Sequence, residues 1–202
     1  MTKVGEFPED FQDCVRFHGH VCPGLAIGYA AVKAGVRGLG VNRAEDEEIV
    51  AVVENDSCAV DAVQVLLGCT FGKGNLIFRD WGKQAFTFLE RNTGRAVRVA
   101  LKHRELPDSA QRRALKKKID SGEASAADKR KYEEIRRSTV LELICADPAD
   151  YFEIGPVAAE MPPKASIVST RPCEICHEST VTTRLQERDG KLVCLGCADQ
   201  DS

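Results

Sequence analysis

EIVAVVENDSCAVDAVQVLLGCTFGKGN, residues 48–75, contains a strand pattern, a helix pattern and a glycine-rich turn in direct succession. Its first eight residues are rich in β-branched side chains and predict a buried strand. Asp56 or Ser57 can cap a helix that runs to Leu67, and Gly68 can end it. This order of elements predicts a sheet covered by a helix, which is the arrangement of an α+β domain.

The hydrophobic periodicity predicts further helices and strands on both sides of this stretch. Helices are expected at 8–18, from Pro23 to about 38 and within 109–145, and strands at 76–78, 85–90, 96–102 and 151–155. Ser125 and Asp128 have the spacing of a capping box for the last long helix. The predicted fold class is therefore α+β, with a mixed or antiparallel sheet and packed helices.

A domain boundary is predicted at MPPKAS, residues 161–166, because two adjacent prolines interrupt both helix and strand. The interpretation is a core domain over residues 1–160, followed by a linker and a zinc finger over residues 161–202.

The composition limits the class of protein and its surroundings. A formal net charge of −3 and 43% hydrophobic residues are typical of a globular protein without a general attraction to nucleic acid or membranes. The apolar runs are too short to span a bilayer, and the N-terminus lacks the pattern of a secretory signal, so the expected location is cytoplasmic. Nine cysteines in a reducing compartment indicate metal binding or thiol chemistry rather than disulfides. Cys145, alone in an apolar helical stretch, is predicted to fill core space.

The last thirty residues contain two C-x2-C pairs separated by seventeen residues. This spacing predicts a closed, structural zinc site in a treble clef or a zinc ribbon. Asp189 and Gly190, between the pairs, form a hairpin turn signal that would bring the second pair back to the first. Two redox-active cysteine pairs are the alternative. The predicted zinc ligands are Cys173, Cys176, Cys194 and Cys197.

A second group of metal-capable side chains lies in RFHGHVCPG, residues 16–24. In an extended loop, His18, His20 and Cys22 would project to one side. If Pro23 begins a helix, Cys22 lies at the helix N-terminus, where a thiolate is favoured. Metal binding or catalysis is one interpretation of this group. The alternative is a pair of histidines that only hydrogen-bond to carbonyl groups near a helix end.

Two further pairs of residues flank the helix predicted after residue 57. Cys58 and Asp61 are three residues apart at its start and so share one face. Cys69 and Lys73 follow its end in CTFGKGN, where backbone amides beside a lysine could hold an anionic group. The alternative for this loop is a tight turn without a ligand, because it lacks the residue order of a P-loop.

Three stretches taken together, FHGHVCPGLAIGY, NDSCAVDAVQVLLGCTFGKGNL and DWGKQAFTF, resemble the FmdE family of formylmethanofuran dehydrogenase subunits. The resemblance covers about residues 10–102 and the cysteine-rich tail. It implies an α+β core with an auxiliary treble-clef zinc finger, a homodimer, and association with oxidoreductase partner subunits. It does not decide whether this chain is itself catalytic.

The resemblance also implies a composition for the core site. The implied metal ligands are His18, His20, Cys22, Cys58 and Cys69. The implied catalytic residues are Cys22, Cys58, Asp61 and Lys73. Cys14, one helical turn before His18, matches none of these motifs and is a further candidate ligand.

The first functional hypothesis is a metal-dependent enzyme or enzyme subunit of the oxidoreductase type. His20, Cys22 and Cys58 would hold the metal and leave a position open for a small-molecule ligand that the sequence does not name. Soft sulfur and imidazole ligands favour zinc, then iron or nickel. Asp61 could orient a histidine or carry a proton, and Lys73 could neutralise an anionic substrate.

Two other hypotheses remain open. A regulatory zinc-finger protein that binds nucleic acid or a partner without catalysis is one, because residues 102–137 carry twelve Lys or Arg against seven Asp or Glu. A solvated helical face with intrahelical ion pairs is the simpler explanation for this charge, so nucleic acid is not the expected partner. A thiol-redox role for Cys22, Cys58 and Cys69 is the other hypothesis.

Overall fold

The computed structural model describes residues 7–103 and 108–199. The chain divides into two compact units, Met1–Lys164 and Ala165–Ser202. Of the basic region predicted at residues 102–137, positions 104–107 lie outside the described residues.

The first unit consists of a five-stranded sheet and six helices in the described part of the chain. The helices are α1 (Glu9–His18), α2 (Pro23–Leu39), α3 (Ala59–Leu67), α4 (Ser109–Asp120), α5 (Ala126–Cys145) and α6 (Pro148–Tyr151). The strands are β1 (Ile49–Val53), β2 (Leu76–Phe78), β3 (Ala85–Glu90), β4 (Ala96–Leu101) and β5 (Phe152–Pro156).

The sheet has the strand order β2-β1-β3-β4-β5 and is mixed. β1 and β2 are parallel, with Val52 opposite Ile77, and α3 makes the crossover between them. The other neighbours are antiparallel, with Val52 also opposite Thr87 of β3. The predicted α+β class with a mixed sheet and packed helices is thereby confirmed.

Helix α2 lies at the centre of the core, and glycines set how closely it approaches its neighbours. A Cβ added at Gly28 would come 2.1 Å from the carbonyl oxygen of Ala59, the first residue of α3. A Cβ at Gly35 would come 2.2 Å from the ring of Phe88 in β3. The glycines therefore bring the N-terminal halves of α2 and α3 together and pack α2 against the sheet.

Helices α4 and α5 carry the basic region, and the capping box predicted for α5 is confirmed. The Ser125 side chain accepts from Asp128 N–H at 3.1 Å, and Asp128 Oδ2 accepts from Ser125 N–H at 3.0 Å. The prediction that Cys145 fills core space is wrong, because its side chain, the last of α5, is exposed. The residues around Cys145 are apolar, but in this last turn of α5 Cys145 lies on the face of the helix that points away from the core.

The second unit is built from two short hairpins and a terminal helical turn. Its elements are β6 (Thr170–Pro172), β7 (Ser179–Val181), a 3-10 turn (Thr182–Arg184), β8 (Leu185–Arg188), β9 (Lys191–Cys194) and α7 (Leu195–Asp199). β6 pairs with β7 and β8 with β9, both antiparallel. Asp189 and Gly190 have φ values of 49° and 74°, the left-handed turn residues that the sequence predicts between β8 and β9.

Across the described ranges, none of the helices combines the length and the apolar character needed to cross a membrane.

Candidate metal centre

The ends of two helices position the first residues of the core site. α1 ends at His18, where Gly19 adopts φ 93° and turns the chain out of the helix. α2 begins at Pro23, and the extended residue before it, Cys22, is its N-cap. Cys22 Sγ accepts a hydrogen bond from Leu25 N–H at 3.4 Å. The thiol therefore lies against the positive end of α2, as the sequence predicts for a helix that starts at Pro23.

His18 connects Cys22 to helix α3. Its Nε2 lies 3.7 Å from Cys22 Sγ, and its Nδ1 lies 2.6 Å from Asp61 Oδ2. The side chain of His18 is 11% exposed. A carboxylate at Nδ1 favours the tautomer with a proton on Nδ1, which leaves the Nε2 lone pair directed toward the sulfur.

The second oxygen of Asp61 is also engaged. Gln64 Nε2 donates to Asp61 Oδ1 at 3.2 Å, so that both carboxylate oxygens have partners. Sequence reasoning missed Gln64, although its position three residues after Asp61 on a helix was a usable signal.

Cys58 lies beside Cys22 at the start of α3. Gly24 separates them: a Cβ added there would come 3.1 Å from Cys58 Cβ, 3.7 Å from Cys58 Sγ and 3.9 Å from Cys22 Sγ. The pKa of Cys22 is raised, mainly by burial and to a smaller extent by the Cys58 thiol, although the hydrogen bond from the Leu25 N–H acts in the opposite direction. The two thiols thus share one small space that a side chain at position 24 would crowd.

His20 completes the cluster. Its ring centroid lies 4.4 Å from that of His18. Desolvation, the neighbouring His18 and the Arg136 guanidinium together lower the pKa of His20 below its usual value. One donor atom from each of His18, His20 and Cys22 lies within 4.8 Å of the others. A neutral imidazole and a thiolate are donors that suit zinc and other borderline transition metals.

Three cysteine or lysine side chains proposed from the sequence lie outside this cluster. Cys69 follows α3, at the opposite end of this nine-residue helix from Cys58. Because an α-helix rises about 1.5 Å per residue, the length of α3 separates the two cysteines along the helix axis. It is buried and its thiol donates to the carbonyl oxygen of Ile49 at 3.5 Å. Burial raises the pKa of Cys69 to about 12. The structure therefore does not bring Cys69 to His18, His20 and Cys22.

Lys73 and Cys14 are also engaged elsewhere. Lys73 Nζ donates to the carbonyl oxygens of Asp46, at 2.8 Å, and Glu45, at 3.4 Å, and so fastens the glycine-rich loop to the turn before β1. Cys14 is fully buried in the core, and its thiol donates to the Asp10 carbonyl oxygen at 3.3 Å. Burial raises the pKa of Cys14 to about 12. Neither residue joins the cluster around His18.

The second unit brings its four cysteines together. The sulfur atoms of Cys173, Cys176, Cys194 and Cys197 all lie within 4.8 Å of one another. Cys194 N–H donates to Cys173 Sγ at 3.3 Å, and Cys197 N–H donates to Cys194 Sγ at 3.4 Å. Hydrogen bonds from the backbone N–H groups of Cys176, Cys194 and Ile175 lower the pKa of Cys173 to about 6. The predicted set of four thiols therefore forms a cluster that can bind a metal ion.

The similarity to known proteins extends over both units of the chain. A probable S-adenosyl-L-methionine-binding protein of Archaeoglobus fulgidus is 33% identical over 190 residues, which cover 91% of this chain. The chain spans 50% of the length of that relative. A tungsten formylmethanofuran dehydrogenase FmdE-like protein from Syntrophus aciditrophicus has a crystal structure similar to this one, with a TM-score of 0.60 and 26% identity. That similarity covers 97% of this chain and 92% of the other.

A family model gives the assignment directly. The model described as FmdE, molybdenum formylmethanofuran dehydrogenase operon, matches residues 17–153. The matched range begins one residue before His18 and contains every residue of the core cluster together with α2, α3 and the whole five-stranded sheet except its last residues. With this match and a structural neighbour of the same kind, the chain belongs to the FmdE family.

Proposed function

We propose that His18, His20 and Cys22 hold a divalent transition metal, zinc before iron or nickel, in a site that serves an enzyme or enzyme subunit. The observation that carries this proposal is the chain of contacts from Asp61 Oδ2 through the His18 ring to Cys22 Sγ, with distances of 2.6 Å and 3.7 Å. A histidine whose far nitrogen is held by a carboxylate is the usual support of a metal-binding imidazole in proteins.

Three protein ligands leave a coordination position open, which distinguishes this site from a closed structural one. A metal bound there would supply Lewis acidity to a substrate oxygen or nitrogen. Asp61 would keep the His18 ring in one orientation, and Gly24 would keep the space between Cys22 and Cys58 clear. Cys58, beside Cys22, would face the substrate at this position as a thiol.

For the second unit we propose a structural zinc ion held by Cys173, Cys176, Cys194 and Cys197 in a treble clef. The clustering of four sulfurs supports a closed tetrahedral shell. The position of Cys197 in the short helix α7, directly after the β8–β9 hairpin, supports the treble clef over the ribbon.

The names of related proteins suggest the setting of this chemistry. Formylmethanofuran dehydrogenase is named both in the family description and for the Syntrophus aciditrophicus protein. These names support a role for the chain in an oxidoreductase assembly. We further propose that it acts there as a cytoplasmic homodimer, as the sequence and the family resemblance lead us to expect. The S-adenosyl-L-methionine-binding activity named for the Archaeoglobus fulgidus relative describes a protein of twice this length.

The metal content of purified protein tests both sites separately. We expect about two metal ions per wild-type chain, one for each cluster. Cys22→Ser should lose the core ion alone, and Cys194→Ser should lose the ion of the second unit alone. Cys145→Ser is the matched control, because Cys145 is an exposed cysteine outside both clusters and its loss should leave two ions. One ion per chain, unchanged by Cys22→Ser, would contradict the core metal site.

A second candidate function uses the same chain of contacts, from Asp61 through His18 to Cys22, without a metal. The three side chains have the order of a nucleophile, its base and the group that orients the base. Cys22 lies at the N-terminus of α2, His18 lies beside its sulfur, and Asp61 lies behind the histidine.

Alkylation by iodoacetamide distinguishes the two functions. If Cys22 reacts at the same rate before and after treatment with a chelator, the thiol is free and the nucleophile is favoured. If chelation exposes Cys22 to alkylation, the metal site is favoured.

A further inference from the structure

A separate cleft of about 870 Å³ opens between α1, α2 and α3 of the first unit. Its volume lies within the range of about 300 to 1,000 Å³ that is typical of small-molecule sites. None of the proposed metal ligands lines it. The cleft is therefore a distinct feature of the helical layer.

The charged side chains of the cleft are unevenly paired. Lys33 Nζ donates to Asp10 Oδ2 at 2.6 Å, and Arg16 forms an ion pair with Asp13 on α1. Arg43 lines the same cleft, and its Nε donates to the carbonyl oxygen of Val65 at 3.0 Å. Among the residues that the structure describes, no carboxylate forms an ion pair with Arg43, so this residue lines the cleft without an acidic partner.

The remainder of the lining is largely apolar. Val32 and Val36 of α2 and Val65 and Leu66 of α3 form its aliphatic wall. Phe17 of α1 also lines it and is 60% exposed, which is unusual for an aromatic side chain beside other apolar surface. The cleft thus combines a wall of aliphatic groups, an aromatic ring that is available for contact and one guanidinium without a carboxylate.

The cleft also has a hydrogen-bonded connection to the core cluster. Gln64 lines the cleft and donates to Asp61, whose other oxygen contacts His18. A ligand that reaches Gln64 would therefore touch the chain of contacts that orients His18, without entering the cluster itself.

We propose that this cleft binds a small organic anion with an apolar body. The carboxylate, sulfonate or phosphate group of the ligand pairs with the Arg43 guanidinium, whose planar fork suits such groups. The apolar body packs on Val65, Leu66 and Phe17. This binding does not depend on a metal at His18, so it can be tested independently of the proposed function.

Anilinonaphthalene sulfonate is a suitable probe, because it is a fluorescent aromatic anion of this kind. We expect saturable binding to the 202-residue chain, with one site per chain. Arg43→Gln should weaken the binding about tenfold, as expected for the loss of one charge-assisted hydrogen bond. N-phenylnaphthylamine, which has the same rings and no charge, should bind wild type and Arg43→Gln with equal affinity.

Phe17→Ser tests the apolar part of the cleft and should weaken both probes, with little risk to folding because Phe17 is already exposed. Arg79→Gln is the matched control, an exposed arginine outside the cleft whose loss should leave both affinities unchanged. Equal effects of Arg43→Gln and Arg79→Gln on the sulfonate would overturn the proposal. So would a dimer, seen by analytical ultracentrifugation, that Phe17→Ser converts to monomers, because a second copy would then occupy the cleft.

Discussion

His18 and Asp61 are 43 positions apart in the sequence, and His18 Nδ1 lies 2.6 Å from Asp61 Oδ2. The contact joins the last residue of α1 to the first turn of α3, whose distance from α2 is fixed by the glycine at position 28. A carboxylate at this nitrogen decides which tautomer of His18 is present, and hence which nitrogen is available to a metal or to the Cys22 thiol. The relationship makes Asp61 a positioning residue.

Replacing Asp61 with asparagine should reduce the affinity of the core site for zinc by about 10- to 100-fold, because an amide holds the imidazole less firmly and makes it less basic. Competition with a fluorescent chelator measures the affinity. The second unit should keep its metal. Asp56→Asn is the control, since Asp56 is an exposed acid just before α3 and outside the metal-capable cluster, and it should leave the affinity unchanged. Equal losses in the two variants would contradict a positioning role.

Gly28→Ala should destabilise the first unit by about 2 kcal/mol, because overpacking costs more than the gain in helix propensity. The added Cβ would lie 2.1 Å from the backbone oxygen of Ala59, and a backbone atom cannot rotate away as a side chain could. Urea denaturation followed by circular dichroism measures the free energy of unfolding. Gly72→Ala is the matched control, because a Cβ there has nothing within 4 Å, and its effect should stay below about 0.5 kcal/mol.

The elements of the fold are predictable from the sequence where local signals agree with tertiary packing. The strands at 76–78 and 85–90 and the Asp189–Gly190 turn lie where the sequence predicts them, because alternation, β-branching and turn chemistry act over a few residues. The capping box of α5 is equally local.

The core site is harder to predict, because its composition depends on which ends of the helices meet. The sequence identifies His18 and Cys22 as site residues. It also proposes Cys69 and Lys73, but these residues follow the far end of α3, and the spacing of a motif does not tell how far a helix separates its members. The prediction for Cys145 fails for a related reason: an apolar stretch indicates a buried face, but the phase of the last turn decides which side chain occupies it. Gln64 has a local signal, its position three residues after Asp61 on a helix, but the role of Arg43 can be recognised only from the cleft between the helices.

Removal of metal should unfold the second unit and leave the first unit folded. The hydrophobic cluster of the second unit contains three buried residues, Cys173, Val193 and Ala198, which is too small a core to fold without a metal. Hydrogen exchange measured by mass spectrometry should show faster exchange of the Cys194 and Cys197 amides, which donate to sulfur, after chelation. Cys176→Ser should have the same effect, and Cys145→Ser should have none. Protection that persists in Cys176→Ser would show that the unit folds without its metal.

The carboxylate of Asp10 should make the stability of the first unit depend on pH in the acid range. Burial alone would raise its pKa, but hydrogen bonds from Lys33 and Tyr29 outweigh this and lower the pKa below the ordinary value of 3.8. A pKa that is lower in the folded state means that the ionised form stabilises the fold. The stabilisation is therefore complete above pH 3.8 and is lost as the pH falls through the folded-state pKa.

Asp10→Asn should consequently be less stable than wild type by about 1 kcal/mol at neutral pH, a value reduced for the partial exposure of the site. The difference should shrink as the pH falls below 3.8, since wild-type Asp10 is then also uncharged in the unfolded state and, at lower pH, in the folded state. Urea unfolding at a series of pH values measures this difference. Asp13→Asn removes the same charge from an exposed position on α1, paired with its helical neighbour Arg16, and should change stability by less than about 0.5 kcal/mol. A difference between wild type and Asp10→Asn that stays constant with pH would mean that the hydrogen-bond geometry, and not the charge of Asp10, stabilises the junction of α1 and α2.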